Sequence, residues 1–448
     1  MPTRRFRTLI LFLALLTAFH CGLRRTSTVW ADAIDRLKLA ELKKLRGAIT
    51  LLRLDREPVT LSSGFTDYRA VMHVHSLWSH DSRGTPEEIR EAARKAGVRV
   101  VMFTEHPAPH YDYFTDGHRG LADGVLFIPG AETKGLLNYP LASVKDQTAQ
   151  SPQQEVDAVR GTGGMAFLCH LEERMDWELE NLTGSEIYNI HADAKDELRL
   201  YAALRNPLAV FQLLSAFEQY PQEAFAALQN YPAGYLKRWD ELCLKDRLTG
   251  IAANDAHHNQ GLHAFVAEDG SFQVQDGLDE PVLSINPEEK PAIKALLLGK
   301  QPGDTIFKLD LDPYERSFGH VSTHLLMNEL TEAAVRDALQ AGRAYVAFDW
   351  IADPSGFTFQ ARRGEEILPM GSDVTLGGGL QLEAAAPLPA TIRLICNGVE
   401  VASAVGRTFE CTPEQAGNYR LEVWVNLPDG PQIWILSNPI YVRAAGDG

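Results

Sequence analysis

The sequence predicts a parallel α/β domain followed by a small all-β domain. Three observations predict it. From residue 68 onward, short apolar runs alternate with helical stretches, the signature of parallel strands joined by crossover helices. From about residue 346 the pattern changes to short alternating segments split by Gly, Pro and Asn turns, with no helical stretch of comparable length. That reads as a β-sandwich. The length of 448 residues is a prior of about three domains, or one large and one small.

The elements follow in order. Residues 4–7 read Arg-Arg-Phe-Arg and residues 8–19 form an uncharged apolar run. A basic start and a short apolar core make a secretory signal, too short for a comfortable span of about 20 residues. Cleavage is expected near Val29–Ala33, so 1–31 is assigned as signal peptide. An uncleaved N-terminal anchor is the alternative. A lipid-modified Cys21 is a third reading, disfavoured by the bulky Phe19 and His20 before it. The mature chain is expected to be exported, periplasmic or extracellular, with no later segment apolar enough to cross a membrane.

Residues 32–66 form a leading helical segment, with helical periodicity over 30–57. Residues 67–345 hold the α/β domain. Its candidate strands are Ala70–Val74, Val98–Thr104, Val125–Ile128, Met165–Cys169, Glu186–Ile190 and Thr249–Ala253. Thr85, Pro86, Glu87 and Glu88 cap and start a helix between the first two, and Gly97 stops it. LTEAAVRDALQAG is a capped amphipathic helix ending at Gly342. Residues 346–448 hold the β-sandwich. There is no CxxC pair among the five cysteines, so a zinc knuckle is not expected. Cys396 and Cys411 either pair or remain two free thiols.

Composition limits the function. Hydrophobic residues at 45% and charged residues at 23% are ordinary globular values. The net charge of −16 argues against holding nucleic acid by its phosphates. The informative excess is the 14 histidines, which cluster. His73 and His75 sit at one strand end, where residues i and i+2 share a face, and His80 and Asp81 return from the following loop. His106, Glu132, His170, Asp255 and His257 each lie just past a further apolar run. In a barrel of parallel strands that face carries the active site. Packing alone does not explain five strand ends bearing such residues. Imidazole and carboxylate without thiolate suit Zn, Mn or Fe, and the donors exceed one ion's needs. Two or three divalent ions are expected, with hydrolysis as the chemistry.

The stretch HVHSLWSHDSRGTPEEIREAARKAGVRVVMFTEHP, followed in order by IPGAE, LCH and NDAH, resembles the PHP (polymerase and histidinol phosphatase) metallohydrolases over roughly residues 68–265. The tail ending in WILSNPIYVR resembles the exported or carbaryl-hydrolase-like branch. The resemblance implies a distorted (β/α)7 TIM-like barrel. It also implies one ion on His73, His75, Glu132 and Asp255, a second on Glu132 and His170, and a third on Asp81, His106 and His257. His73, His75, Asp255 and His257 are the expected catalytic residues. No histidine lies between Glu132 and His170, so the second ion is absent, completed by water, or completed by His191. His80 and Asp81 compete for one role, with Asp81 favoured. Glu105 is read as a partner orienting an imidazole.

His110, His118, His258, His263, His320 and His324 are read first as surface or structural residues, the first three beside the mouth. Arg83, Lys134 and Arg174 are either phosphate contacts or solvated cations. Tyr111, Tyr113 and Phe114 form an aromatic wall or a packed loop. No GxSxG elbow, P-loop or dinucleotide fingerprint is present. Cys169 is expected to point away from His170, which excludes a Cys–His dyad. The expected activity is a phosphoesterase using metal-bound hydroxide on a small-molecule substrate. The alternatives are a carboxyl-ester or carbamate hydrolase on the same centre, and a non-catalytic exported binding protein.

Overall fold

The computed structural model describes residues 33–444 apart from 60, 62–63, 148–149 and 197–206. The expected signal segment, the anchor alternative and Cys21 lie outside the described residues. Helices Ala33–Arg36 and Leu39–Leu54 open the described chain. The second is tied down by its cations: Arg46 pairs with Glu223 at 2.6 Å, and Arg53 donates to the carbonyls of Trp350 and Ile351.

Nine strands follow: β1 (Thr66–Val74), β2 (Val100–Phe103), β3 (Gly120–Ala122), β4 (Val125–Ile128), β5 (Ala131–Thr133), β6 (Leu136–Tyr139), β7 (Met165–Leu168), β8 (Gly184–Asn189) and β9 (Thr249–Ala256). Parallel pairing joins six of them in the order β4, β2, β1, β9, β8, β7. β3 adds antiparallel to β4, and β6 then β5 extend antiparallel beyond β7. A parallel bridge from Glu105 to Ala131 sets β5 beside the chain leaving β2. The fold is mixed α/β with large sheets.

Both faces of the parallel strands are covered, which is why they read as continuous apolar runs. Val100 and Met102 of β2 pack with Met72, Ile128, Phe167 and Ile251 on one face. Val101 and Phe103 pack with Ile89 and Ala93 of helix Pro86–Lys95 on the other. That helix starts as its sequence dictates: the Glu88 N–H donates to the Thr85 hydroxyl at 3.2 Å, and Pro86 occupies the first turn. Gly97 takes φ +73° and lets the Val98 N–H close on the Ala93 carbonyl. Helix Glu332–Ala341, capped by Thr331 and ended by Gly342 in the left-handed region, packs Val335, Ala338 and Leu339 against the first face.

Between β9 and that helix lies a four-stranded antiparallel sheet that the sequence pattern did not reveal. It comprises β10 (Gly261–Val266), β11 (Phe272–Asp276), β12 (Pro281–Ile285) and β13 (Thr305–Asp310), ordered β12, β11, β10, β13. Its core is small, with Ala264, Phe272 and Val274 as the buried members, so its strands carry many polar residues. β14 (Ser322–Met327) pairs with β1, and β15 (Ala344–Ala347) joins β14 to the tail by pairing with the strand Gly430–Ser437.

The tail holds β16 (Thr358–Arg363), β17 (Glu366–Pro369), β18 (Asp373–Thr375), β19 (Gln381–Cys396), β20 (Val399–Cys411), β21 (Gly417–Leu427), β22 (Gly430–Ser437) and β23 (Ile440–Arg443). QLEAAA and the following ATIRLIC lie on the single long strand β19. Pro387 and Pro389 fall where its pairing with β20 is interrupted between Ala385 and Ala390, a place where proline costs no ladder hydrogen bond. Cys396 and Cys411 are free thiols. They sit at opposite ends of the β19–β20 hairpin, Cys396 opposite Val399 and Cys411 opposite Leu382, so a bridge is out of reach. Among the described residues no helix is long and apolar enough to cross a membrane.

Candidate metal centre

The C-terminal ends of the parallel strands converge on one group of imidazoles and carboxylates. β1 delivers His73 and His75, and the loop after it delivers His80 and Asp81. The chain past β2 delivers His106, β5 delivers Glu132, the end of β7 delivers His170, and β9 delivers Asp255 and His257. Four overlapping sets have ligand atoms within 4.8 Å of one another: His73–His75–Asp255, His73–Glu132–His170, His75–His106–His257 and His80–Asp81–His106. All eight expected ligands are therefore gathered. Asp81 turns Oδ2 to His106 Nε2 at 3.4 Å and to His257 Nε2 at 3.5 Å. His80 is 77% exposed, with Nε2 4.0 Å from that same oxygen. It approaches from the solvent side.

The two central carboxylates divide their oxygens. Glu132 Oε2 lies 3.2 Å from His73 Nε2 and 3.6 Å from both His75 Nε2 and His106 Nδ1, while Oε1 lies 3.2 Å from His170 Nε2. Asp255 Oδ1 lies 3.3 Å from His73 Nε2 and 3.6 Å from His75 Nε2. Its Oδ2 lies 3.7 Å from His170 Nε2 and 3.5 Å from His191 Nδ1.

Local backbone strain aims these groups. His73 (φ +60°), His170 (φ +47°) and Asp255 (φ +44°) all adopt the left-handed region that non-glycine residues avoid. At His73 the register of β1 slips against both β2 and β9. This is a bulge of the kind that re-aims a side chain next to an active site. Simple i, i+2 alternation therefore does not place His73 and His75: the bulge does. The same irregularity at His170 corrects the expectation for Cys169. Its thiol does not point away but lies 3.8 Å from Glu132 Oε1. Burial pushes that thiol well up, reinforced by Glu132 and Glu186, so it stays protonated.

A second layer of buried polar groups fixes the imidazoles. Glu186 Oε1 accepts from His73 Nδ1 at 2.7 Å, and its Oε2 accepts from the His170 backbone N–H at 2.8 Å and from Asn189 Nδ2 at 3.2 Å. Asn189 Oδ1 accepts from the His191 backbone N–H at 2.8 Å. Glu105, expected to orient an imidazole, does so at one remove, through serines. It accepts from Ser76 Oγ at 2.5 Å, the Ser76 N–H at 3.1 Å and Ser79 Oγ at 2.6 Å. Ser79 Oγ in turn accepts from His75 Nδ1 at 3.2 Å and the His106 N–H at 3.0 Å. Tyr314 ties β1 to β9 by donating to the carbonyls of His75 and His257. Glu186, Asn189, Ser76, Ser79 and Tyr314 escaped sequence reasoning. A carboxylate inside an apolar strand was the available signal for Glu186.

The donor set fits divalent cations. His73 Nε2 and His75 Nε2 are buried without a hydrogen-bond partner, and an unsatisfied buried polar atom is costly. Donors bound about 2.1 Å from one ion in a tetrahedron lie about 3.4 Å apart, which is the spacing found. Charge agrees. Burial opposes protonation of His73, but Asp255, Glu132 and Glu186 raise it well above the usual imidazole range. Burial likewise opposes protonation of His170, yet hydrogen bonds to Glu132 and Glu172 push it up to about 10. Burial, then the imidazoles of His257, His106 and His73, drive His75 well down. Burial works against ionised Glu132, but His73 and His170 hold it well below the carboxylate range. Protons thus sit where cations would, and metal ions would replace them.

The remaining residues singled out from sequence lie around this centre. Arg174 donates to the carbonyls of His170 and Cys169, and Arg83 is held by Asp279 and the Leu278 carbonyl. Lys134 lies 3.9 Å from Glu155. Tyr111 is buried and donates to the His106 carbonyl at 2.6 Å, so with buried Phe114 it forms a packed loop behind His106. His258 joins Glu88 to Asp310, and those hydrogen bonds push it up to about 10. His118 packs edge-on against Phe103 and Trp78. His110 packs beside Tyr111, and exposed His263 meets the Thr305 hydroxyl at 2.9 Å. His320 is buried and stacked on Trp350, and His324 lies between Asp67 and Asp349.

No known family's sequence profile matches the chain, and no curated protein matches it. Among solved structures it is similar to a two-domain protein of Bacteroides vulgatus, described as containing a predicted PHP-like metal-dependent phosphoesterase. The identity is 13% and the TM-score 0.36, over 85% of this chain and 98% of that one.

Proposed function

We propose that the protein is a metal-dependent phosphoesterase of the PHP type, with two or three divalent ions. The observation that carries the reading is the pair of orphaned, buried Nε2 atoms of His73 and His75 facing the divided carboxylates of Glu132 and Asp255. When bound, the ions supply Lewis acidity and activate water at neutral pH. The chain's own part is positioning. His73, His75, Glu132 and Asp255 would hold one ion, Glu132 and His170 a second, and Asp81, His106 and His257 a third. Glu186 fixes the His73 proton on Nδ1, which leaves Nε2 as the donor atom. Ser79 does the same for His75.

The same reading takes residues 67–345 as a distorted (β/α)7 barrel and 346–448 as a β-sandwich. The parallel strand order and the Glu105–Ala131 bridge support the first. A second reading, hydrolysis of carboxyl esters or carbamates, is favoured by one observation: both arginines beside the motifs are engaged with protein groups, which leaves substrate charge to the ions. The deciding experiment is turnover by metal-replete protein on phosphomonoesters, phosphodiesters, aryl esters and aryl carbamates. Phosphate-ester cleavage supports the first reading. Cleavage confined to the carbon esters selects the second. Bound metal with no turnover on any of these overturns both.

A further inference from the structure

Helix Ala233–Cys243 faces β19, β20 and β21 of the tail across a cleft of about 470 Å³, within the range of roughly 300–1,000 Å³ typical of small-molecule sites. None of its lining residues belongs to the metal centre. We infer that this cleft binds a neutral oligosaccharide, held between the helix and the β-rich tail.

Three observations lead there. First, the walls are long and regular. The helix and its cap present Leu236, Lys237, Asp240, Glu241 and Leu244 at three- and four-residue spacing, which is one helical face, along a wall of about 16 Å. β19 and the turn after it present Arg393, Ile395 and Asn397, alternate residues on one side of the strand. Such a length suits a short chain of sugar rings rather than a single ring.

Second, the charges are already matched. On the floor, buried Arg420 donates to both oxygens of Asp240 at 2.7 and 2.8 Å and to Oε1 of buried Glu422 at 2.8 Å. At the rim, Glu400 lies 3.8 Å from Arg393 and Glu241 lies 3.2 Å from Arg238. Every lining carboxylate thus has a guanidinium partner, which leaves none for a cationic ligand. Asp240, Glu241, Glu400 and Glu422 outnumber Lys237, Arg393 and Arg420, which disfavours an anionic one. What remains is hydrogen-bonding capacity. Each Asp240 oxygen can accept a further bond, and exposed Lys237 and Asn397 are donors. Hydroxyl groups, which both donate and accept, match that mixture. A buried ion cluster is also poor glue: apolar residues of similar volume would hold helix to tail as well or better, so stability does not account for it.

Third, the cleft carries fixed planar groups. The Tyr231 hydroxyl donates to Glu422 at 2.8 Å, its ring lies 4.9 Å from that of Trp424, and Arg393 stacks over Trp424 at 4.9 Å. At the far end of the helix Leu244 is 60% exposed. Pinned aromatic and aliphatic surfaces meet the C–H faces of sugar rings with little ordering cost.

The test uses the full, metal-loaded chain. Neutral xylan-, cellulose-, mannan-, starch- and chitin-derived oligosaccharides, with oligogalacturonate as the acidic comparison, are titrated by calorimetry. Ala233→Trp fills the cleft from the exposed first turn of the helix, and Leu244→Trp fills it from the other end. Thermal unfolding checks each fold, and the second variant serves if the first is not folded. At least one neutral oligomer should bind wild type with a Kd of about 1 mM or tighter, and oligogalacturonate more weakly. The filled variant should bind that oligomer at least about tenfold more weakly, with metal content unchanged. Equal affinity in wild type and a folded filled variant would overturn the inference. So would oligogalacturonate binding as tightly as the neutral oligomers, or no neutral oligomer binding at about 10 mM.

Discussion

His73 donates from Nδ1 to Oε1 of Glu186 across 2.7 Å, with both side chains wholly shielded from solvent. Glu186 lies inside a buried strand and outside every donor motif, yet it decides which nitrogen of His73 is offered to an ion. Glu186→Gln preserves the shape and removes the charge. Metal affinity should fall about 10–100-fold, the usual effect of losing such a partner, with little change in far-ultraviolet circular dichroism. Competition with a chromophoric chelator measures it, and unchanged affinity would remove Glu186 from the account.

Asp255 touches two donor groups, whereas His257 touches one side of the centre. Because Asp255 Oδ1 faces His73 and its Oδ2 faces His170, Asp255→Ala should weaken both the ion on His73 and His75 and the one on Glu132 and His170, and His257→Ala only one. Elemental analysis after gel filtration distinguishes them. Equal losses in the two variants would contradict the division of the Asp255 oxygens.

Metal uptake should release protons. His73 is raised well above the imidazole range and His170 to about 10, so both carry protons near neutral pH until an ion displaces them. Affinity should rise with pH by about one log unit per pH unit for each proton displaced, and keep rising towards pH 10. Calorimetric titration in buffers of different ionisation enthalpy counts the protons. Zero release at pH 7 would contradict the charge balance described.

His324 lies between Asp67 at 2.7 Å and Asp349 at 3.0 Å, remote from the ligands. Burial opposes its protonation, but the two carboxylates push it up to about 9, against about 6.5 in the unfolded chain. The folded state therefore binds the extra proton. The stabilisation, roughly 3 kcal/mol, is complete below pH 6.5 and is lost as pH rises through 9. Thermal unfolding of metal-loaded wild type from pH 6 to 10 should show this loss. His324→Phe should be less stable at pH 6 by roughly 3–5 kcal/mol, the cost of breaking a buried pair. The variant's deficit should shrink at pH 10, and a deficit constant across that range would refute the assignment.

Much of the parallel region was legible because a doubly buried strand must be apolar throughout. Val125–Ile128 has the bounds read from sequence, and Met165, Glu186 and Thr249 fall at or near the starts of their strands. The helix after Thr85 was legible from its cap. The sheet of β10 to β13 was not, because a small core leaves its strands polar. The gathering of the donors was readable from their place after apolar runs. Their aim was not, since it depends on the left-handed turns at His73, His170 and Asp255. The serine relay below Glu105 was equally hidden, because only folding brings Ser76 and Ser79 to it.

Those left-handed turns set chemistry against durability. Histidine and aspartate at positive φ each cost of order 1 kcal/mol that glycine would not. Replacing His73, His170 or Asp255 by glycine would relax the backbone while deleting a ligand, whereas alanine would keep the strain. A glycine scan of the metal-free chain should therefore rank above the matching alanine scan in melting temperature at these three positions. Laboratory evolution for thermal tolerance alone would drift towards a sturdier and inert protein, with its mutations entering at the residues that hold the ions.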